Sequence, residues 1–386
     1  MLKKLKGSLF ARRLFRTRWF WTLRNSLRDL VPRKPADIPI VDDRPVSSDG
    51  EYFAEKVVLD WPANCPKPNV GLVRDRREYP YWTKFEHFLE NTEIPFRYYE
   101  VHRSDWLEEA ARFDVILWAP EAATVYDVEE SRRKTYILEK NCGKVCFPSF
   151  DTLMWNEDKI AQYHLLRLRG FPVIETFISH DLHEILDRTS RLEYPLVTKS
   201  SIGAGSMAVE LVKDSWQAEA VARSIFSVGG RRTYWPYYRQ KNYVYFQKYQ
   251  VNEGYDLRVI MVGDIALGYY RDVPDGDFRA SGMNTVRFGG LPEEAVFLAR
   301  RVSAEFGEIT MAVDMLRDPR DGKFYISELS AMPGIDLLCD LIVDGVRGFY
   351  YFDRFDKLRF EAGVYWTPEL MLREFLKRKW LSRYPT

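Results

Sequence analysis

The sequence predicts an α/β chain built in parts: an open parallel sheet, then a stretch of helices and paired strands, with a basic helical head and a helical tail. Three observations predict it. From Asn69 to Phe147 short apolar runs alternate with amphipathic stretches, the rhythm of parallel strands joined by helices. Beyond Tyr194 the apolar runs come in pairs joined by short turns, of which Gly263-Asp264 is the clearest hairpin signal. No apolar run approaches the ~20 residues of a membrane-spanning helix, while 46 % of the 386 residues are hydrophobic, enough to fold most of the chain.

The head comes first. Residues 1–34 carry eleven Lys or Arg and one acid, Asp29, although the whole chain has a net charge of only +1. The remainder is therefore mildly acidic. Leu2, Leu5 and Leu9, then Phe20, Leu23, Leu27 and Leu30, fall at helical spacing around Trp19 and Trp21. A basic amphipathic helix with interfacial tryptophans suits an anionic membrane surface. Packing on protein and a targeting peptide are the competing readings. Nucleic acid is not an expected partner, because the basic charge is local and the acidic body repels phosphate. Residues 35–69, rich in Pro, Asp and Ser, predict a linker wrapped on the surface.

Residues 70–150 predict the parallel-sheet domain. Its strands are expected at Val70–Val73, Phe96–Val101, Val115–Trp118 and Val145–Phe147, and its helices at Trp82–Leu89, near Trp106–Ala111 and near Arg132–Glu139. The first strand is not followed by Gly-x-Gly-x-x-Gly, which leaves a dinucleotide site there unsupported. Residues 151–246 open with a helix over Asn156–Arg169, and the resemblance given below makes them a small lobe. In it a run ending at Lys199 leads through the small-residue loop Ser200–Ser206 to a strand at Val209–Val212. Such a loop offers backbone N–H groups to phosphate, and an ordinary hairpin turn is the competing reading. Residues 247–345 read as a run of paired strands, and the resemblance given below makes them a larger lobe. Its strands are expected at Tyr243–Tyr249, Arg258–Val262, Ile265–Tyr270, Met311–Leu316 and Phe324–Leu329, with a helix at Glu293–Phe306. Residues 346–386 predict a helical extension, with Pro368–Trp380 as its helix. Closing over an acceptor and forming a homodimer face are its two readings.

The densest chemistry lies between Asp256 and Gly334: Asp256-x-Arg258, Arg271, Gly276-Asp277-Phe278-Arg279, Asp314, Glu328-x-Ser330 and Pro333-Gly334. Acids and guanidiniums in that density can hold a metal–triphosphate and neutralise a phosphoryl group in transfer. The four cysteines, at 65, 142, 146 and 339, have no zinc spacing and read as reduced cytosolic thiols.

Taken with Asp158-Lys159 at a helix start, Lys199 before its loop and the strand Gln247–Tyr249, this order resembles an ATP-grasp carboxylate–amine ligase of the amino-acid ligase type. The resemblance covers about residues 70–345. It implies an ATP-grasp fold, in which two α+β lobes clasp ATP behind an open parallel-sheet pre-ATP-grasp domain. By it, Lys159 and Lys199 reach the ATP phosphates from the small lobe. Gln247 and Tyr249 read adenine through their backbone, and Glu253 binds ribose, with Asp256 also in the nucleotide site. Asp314, Glu328 and Ser330 hold Mg²⁺, Ser330 standing where such ligases commonly carry asparagine. Arg258, Arg271 and Arg279 stabilise the phosphate in transfer, since guanidiniums match phosphate bidentately and stay charged.

The resemblance implies ATP and Mg²⁺ as cofactors, and a carboxylate and an amine as substrates. Arg74, Arg76 and Arg77 beside the Tyr79–Trp82 patch suggest a sizeable acidic substrate of glycan or natural-product type. A cytoplasmic location is expected, peripheral on the membrane's inner face if the head binds lipid. A non-catalytic nucleotide-binding scaffold and a small-molecule kinase are the competing functions.

Overall fold

The computed structural model describes residues 54–74, 81–120, 125–203, 208–233, 239–274, 276–280, 286–333 and 341–384. The expected basic helix at 1–34 and most of the linker lie outside them. The chain divides into two compact units. Among the described residues, the smaller comprises 175–203, 208–233 and 239–249, and the larger holds the rest.

In the larger unit, strands β1 (Val70–Leu72), β2 (Phe96–Tyr98), β3 (Val115–Leu117) and β4 (Val145–Phe147) form a parallel sheet in the order β2-β1-β3-β4. β1, β3 and β4 are buried along their whole length, as a sheet covered by helices on both faces requires. The connecting helices are α1 (Trp82–Asn91), α2 (Trp106–Ala110) and α3 (Val125–Tyr136). α3 runs into a wider turn at Ile137–Asn141. A short helix, α4 (Phe150–Trp155), follows β4, capped by Ser149 Oγ on Thr152 N.

Helix α5 (Lys159–Leu168) begins three residues later than the sequence suggests, because Asp158 caps it on Ala161 N. It was expected in the small lobe, yet residues 151–174 belong to the larger unit. The reason is a set of amide clamps on an edge strand. Gln162 donates to Leu329 O (2.8 Å) and accepts from Leu329 N (2.9 Å), and Asn156 Oδ1 accepts from Ala331 N (2.9 Å).

The smaller unit packs strands β5 (Thr176–Ser179), β6 (Leu196–Thr198), β7 (Glu210–Val212) and β10 (Val244–Lys248) in the order β5-β10-β6-β7. Helices α6 (Leu182–Arg188) and α7 (Ser215–Ile225) bury Ile185, Ala218, Ala222 and Ile225 with Leu196, Val212, Val244 and Phe246 of the sheet. A two-stranded ribbon, β8 (Arg231–Arg232) with β9 (Arg239–Gln240), completes it.

The larger unit also holds an eight-stranded antiparallel sheet. Its strands are β11 (Tyr255–Val262), β12 (Ile265–Asp272), β13 (Val286–Arg287), β14 (Thr310–Arg317), β15 (Phe324–Ser330), β16 (Leu341–Val343), β17 (Val346–Phe352) and β18 (Leu358–Ala362). The central order is β15-β14-β11-β12-β17-β16, and helix α8 (Glu293–Phe306) lies across β11 and β14. Residues 346–362, expected in a helical extension, are strands instead. β17 pairs with β12 and β18 with β17, and only α9 (Thr367–Lys379) is helical in length. The four consecutive aromatics Phe349–Phe352, residues of high strand propensity, explain the strand.

The described end of the linker is likewise not a surface wrap. Val57, Leu59 and Cys65 are buried in the main core, and Trp380 Nε1 donates to Pro66 O at 2.9 Å.

Candidate active site

Register builds the site. In β11, Leu257, Val259 and Met261 are fully buried on one face, so Asp256 and Arg258 share the other. Arg258 lies opposite Asp314 on β14, Asp314 opposite Glu328 on β15, and Asp256 opposite Arg271 on β12. Residues separated by up to 56 positions thus meet as cross-strand neighbours, with Cβ atoms roughly 4.5–5.5 Å apart. A bulge between Asp314 and Met315 breaks the β14–β15 ladder beside the acidic pair, a common way to re-aim a side chain near a site.

Arg258 grips Asp314 bidentately, Nε to Oδ1 and Nη2 to Oδ2, both at 2.7 Å. Arg271 Nη2 bridges Asp256 Oδ1 and Asp314 Oδ2, again at 2.7 Å each. All four side chains are at most 15 % exposed. Burial alone would raise the Asp314 carboxyl, but the two guanidiniums hold it well below the usual range. Asp256 goes the other way: burial raises it, Arg271 only partly offsetting this, with Asp314 adding like-charge repulsion. Gly268 of β12 faces Val259, and a Cβ there would lie 2.3 Å from the Arg258 carbonyl oxygen. The close approach of the two strands beneath Arg258 therefore requires glycine.

Lys159 is the first residue of α5, where the helix dipole disfavours a cation. It stays because its Nζ meets Glu328 Oε1 at 3.0 Å, with the side chain 7 % exposed. Burial works to lower its pKa, but Glu328, Glu157 and Asp158 outweigh this and raise it. A local rule broken by a buried, paired lysine marks a functional position. Ser330 follows two residues after Glu328 on the same face of β15, opposite Ala312. Asp314 and Glu328 offer hard carboxylate oxygens; among the described residues, no group of three or more His, Cys, Asp or Glu could hold a metal ion.

Arg279 is held in a local turn. Asp277 accepts from the backbone N–H of Phe278 (2.7 Å) and Arg279 (3.0 Å), and from the Arg279 guanidinium at 3.0 and 2.8 Å. Gly276, at φ +79°, admits the turn. These hydrogen bonds, the one from the Arg279 side chain foremost, lower the Asp277 carboxyl to about 2. Glu253 is shared by Tyr255 OH (2.8 Å) and Arg317 Nη1 (3.3 Å).

In the smaller unit, Lys199 directly follows β6, and its N–H donates to Tyr245 O. The Gln247 side chain is 4 % exposed, its amide near Thr176 Oγ1 and Tyr245 OH at 3.4 Å each. The N–H groups of Lys248 and Tyr249 donate to Glu175 O and Pro195 O. Backbone reading of an adenine edge by this strand therefore falls to carbonyl oxygens or to residues beyond Tyr249.

The structure thus brings Asp256, Arg258, Arg271, Asp314, Glu328 and Lys159 into one connected cluster. It seats Arg279 on Asp277, and Lys199, Gln247 and Tyr249 in the other unit. The clamping residues Asn156 and Gln162 were not singled out from sequence for that role. Asp277-x-Arg279 did carry a signal, an acid two residues before a guanidinium in a glycine turn. The amide clamps carried none, since their partners are backbone atoms distant in the chain.

Comparison with known proteins identifies the domain. Residues 156–343 match the model of the RimK-like ATP-grasp domain. The chain carries an ATP-grasp domain. Over 184 residues it is 26 % identical to the glutamate–LysW ligase ArgX of Sulfurisphaera tokodaii, covering 46 % of this chain and 60 % of that one. Over 208 residues it is 30 % identical to mouse beta-citrylglutamate synthase B, covering 50 % of this chain and 49 % of that one. The chain thus spans between half and three-fifths of these relatives' lengths. An ATP complex of D-alanine–D-alanine ligase from Bacillus anthracis shares the ATP-grasp fold, with a TM-score of 0.50 at 15 % identity over 69 % of this chain and 87 % of that one. Among the described residues, no helix is long and apolar enough to cross a membrane.

Proposed function

We propose that the protein is an ATP-dependent, ADP-forming carboxylate–amine ligase. The observation that carries this reading is the buried, charge-balanced row on the large sheet, with three cations (Lys159, Arg258, Arg271) against three acids (Asp256, Asp314, Glu328). The family match and the relatives' names, a ligase and a synthase that both involve glutamate, support it.

Asp314 and Glu328 would hold Mg²⁺, with Ser330 offering a hydroxyl, and the ion would supply charge neutralisation at the phosphates. Lys159 and Lys199 bind phosphate oxygens as compact charges. Arg258, Arg271 and Arg279 offset charge as a substrate carboxylate oxygen attacks the γ-phosphorus. The bond from that phosphorus to the bridging oxygen breaks and ADP leaves. The amine nitrogen then attacks the acyl carbon, the bond from that carbon to the phosphate oxygen breaks, inorganic phosphate leaves, the amine's proton passes to solvent, and an amide results.

Glutamate is the first amine to test, from the relatives' names. The test measures ADP and phosphate release with acid and amine panels, with hydroxylamine as a trap. Release requiring both substrates, and a trapped hydroxamate, are expected. Release of AMP and pyrophosphate would overturn the reading, and ATP binding without turnover would favour the scaffold.

A further inference from the structure

Away from the charged row, the larger unit holds a partly open cavity of about 140 Å³ at the end of β4. Its walls come from the turn after β4, the α8–β14 turn, Ala331 and the end of α9. Three rings, Phe147, Phe306 and Phe375, make it partly apolar, and the polar groups Glu308, Thr310 and Lys379 also line it.

Each polar group is incompletely answered. The Glu308 carboxylate accepts from Thr152 Oγ1 at 2.9 Å to either oxygen and from Trp155 Nε1 at 3.2 Å. All are neutral donors, and no cation among the described residues lies within ion-pair distance of it. Burial accordingly pushes this carboxyl up, against those hydrogen bonds and the more distant charge of Lys379. Thr310 is 2 % exposed, and its hydroxyl has no hydrogen-bond partner among the described residues. A buried hydroxyl without a partner is rare enough in native folds to require an explanation. Lys379 is exposed and makes no ion pair among the described residues. Asp151, the other acid at the cavity, sits 3.4 Å from Lys140.

We infer that this cavity is a binding site for a small free α-amino acid. The ammonium sits on Glu308 and the Thr310 hydroxyl, which supply acceptors. The carboxylate sits on Lys379, and a short apolar side chain lies among the phenyl rings. Either charge alone would leave one end of the site unanswered. Size sets the upper limit: a cavity of ~150 Å³ admits benzene, six heavy atoms, close to alanine or serine and too small for glutamate. Thr310 opens β14 four residues before Asp314, so at ~3.3 Å per residue the site stands roughly 13 Å from the charged row. It is separate from the proposed reaction centre and independent of the ligase reading.

Calorimetric titration of the full chain with L-alanine tests this, with propionate and ethylamine as probes lacking one charged end. Saturable alanine binding is expected, with either probe at least roughly tenfold weaker. Lys379→Ala, an exposed change that leaves the core intact, and Thr310→Val should each weaken alanine at least roughly tenfold, while Asp314→Asn should not. Absence of saturation in the millimolar range overturns the inference. So does binding that is indifferent to Lys379→Ala, or that is lost in Asp314→Asn while Lys379→Ala retains it.

Discussion

The central strands of the two antiparallel sheets use charge in opposite ways, although an edge strand of the smaller sheet does hold one largely buried pair, Glu210 with Arg231 at 3.0 Å. In the smaller unit the central strand β10 buries Val244, Tyr245, Phe246 and Gln247, and its one charged residue, Lys248, pairs with Glu193 at the exposed surface. In the larger unit the central strands β11 and β14 bury Arg258, Asp256 and Asp314 at adjoining register positions. A sheet that needed only stability would resemble the first. Buried ion pairs contribute little net stability against well-packed apolar side chains, so the row on the larger sheet is retained for what it does.

The sharpest way to break this comparison is to remove one member of the buried row. Arg258→Met leaves Asp314 with only Arg271 and strands negative charge in the sheet. It should destabilise by about 3–5 kcal/mol, as loss of one partner from a buried pair does. Urea denaturation with an unchanged m-value would measure it, and turnover should vanish. If Arg258→Met instead matches the wild-type midpoint, the row is not acting as a coupled unit.

Gly268→Ala comes next, because its Cβ would meet the Arg258 carbonyl oxygen at 2.3 Å and must part β11 from β12. A loss of about 1–3 kcal/mol is expected. The change should also lower turnover by shifting Arg258, whereas Gly143→Ala, with open space around it and a left-handed backbone at φ +65°, should affect stability alone.

Charge balance yields a ligand-binding prediction of smaller size. The row sums to zero, so Mg²⁺ alone would leave it positive and ATP alone strongly negative. Each should therefore bind weakly by itself, and the pair should bind together. Melting temperature should rise clearly with MgATP and little with either component, a shift that follows the linkage between ligand affinity and stability. Equal shifts with Mg²⁺ alone would show a preformed metal site that the ion pairs do not occupy.

The same contrast explains what could be read from sequence. The larger sheet was legible because its strands carry strong apolar alternation and its acids and arginines stand in an order that matches a known family. Helices α6 and α7 and strand β5 went unread. Short, mixed segments such as Thr176–Ser179 carry little periodicity, and pairing with β10 stabilises them. Residues 346–362 misled for a related reason, since a segment rich in Tyr, Phe, Arg and Asp suits a strand as well as an interface. Placement of Lys159 depended on Gln162 and Asn156 gripping backbone atoms over 160 positions away. No local pattern encodes such a grip.

Glu308 offers a pH test of intermediate delicacy. Its folded pKa lies above the ordinary 4.5, so folding favours the protonated form. The associated stability is fully present below pH 4.5 and is lost as pH rises through the folded value. Stability measured from pH 4.5 upward should therefore decline less steeply in Glu308→Gln than in the wild type. An identical slope would mean that another group governs that range.

The smallest effect belongs to the smaller sheet. Lys248 and Glu193 are 42 % and 77 % exposed, and water and salt screen a pair so placed. Their contact does lower the Glu193 carboxyl, yet a shift on so exposed a group says little about folding. Lys248→Ala should leave the denaturation midpoint within experimental scatter, and added salt should not separate variant from wild type. A loss approaching that of Arg258→Met would show that exposure does not divide the two sheets, and the functional reading of the buried row would lose its footing.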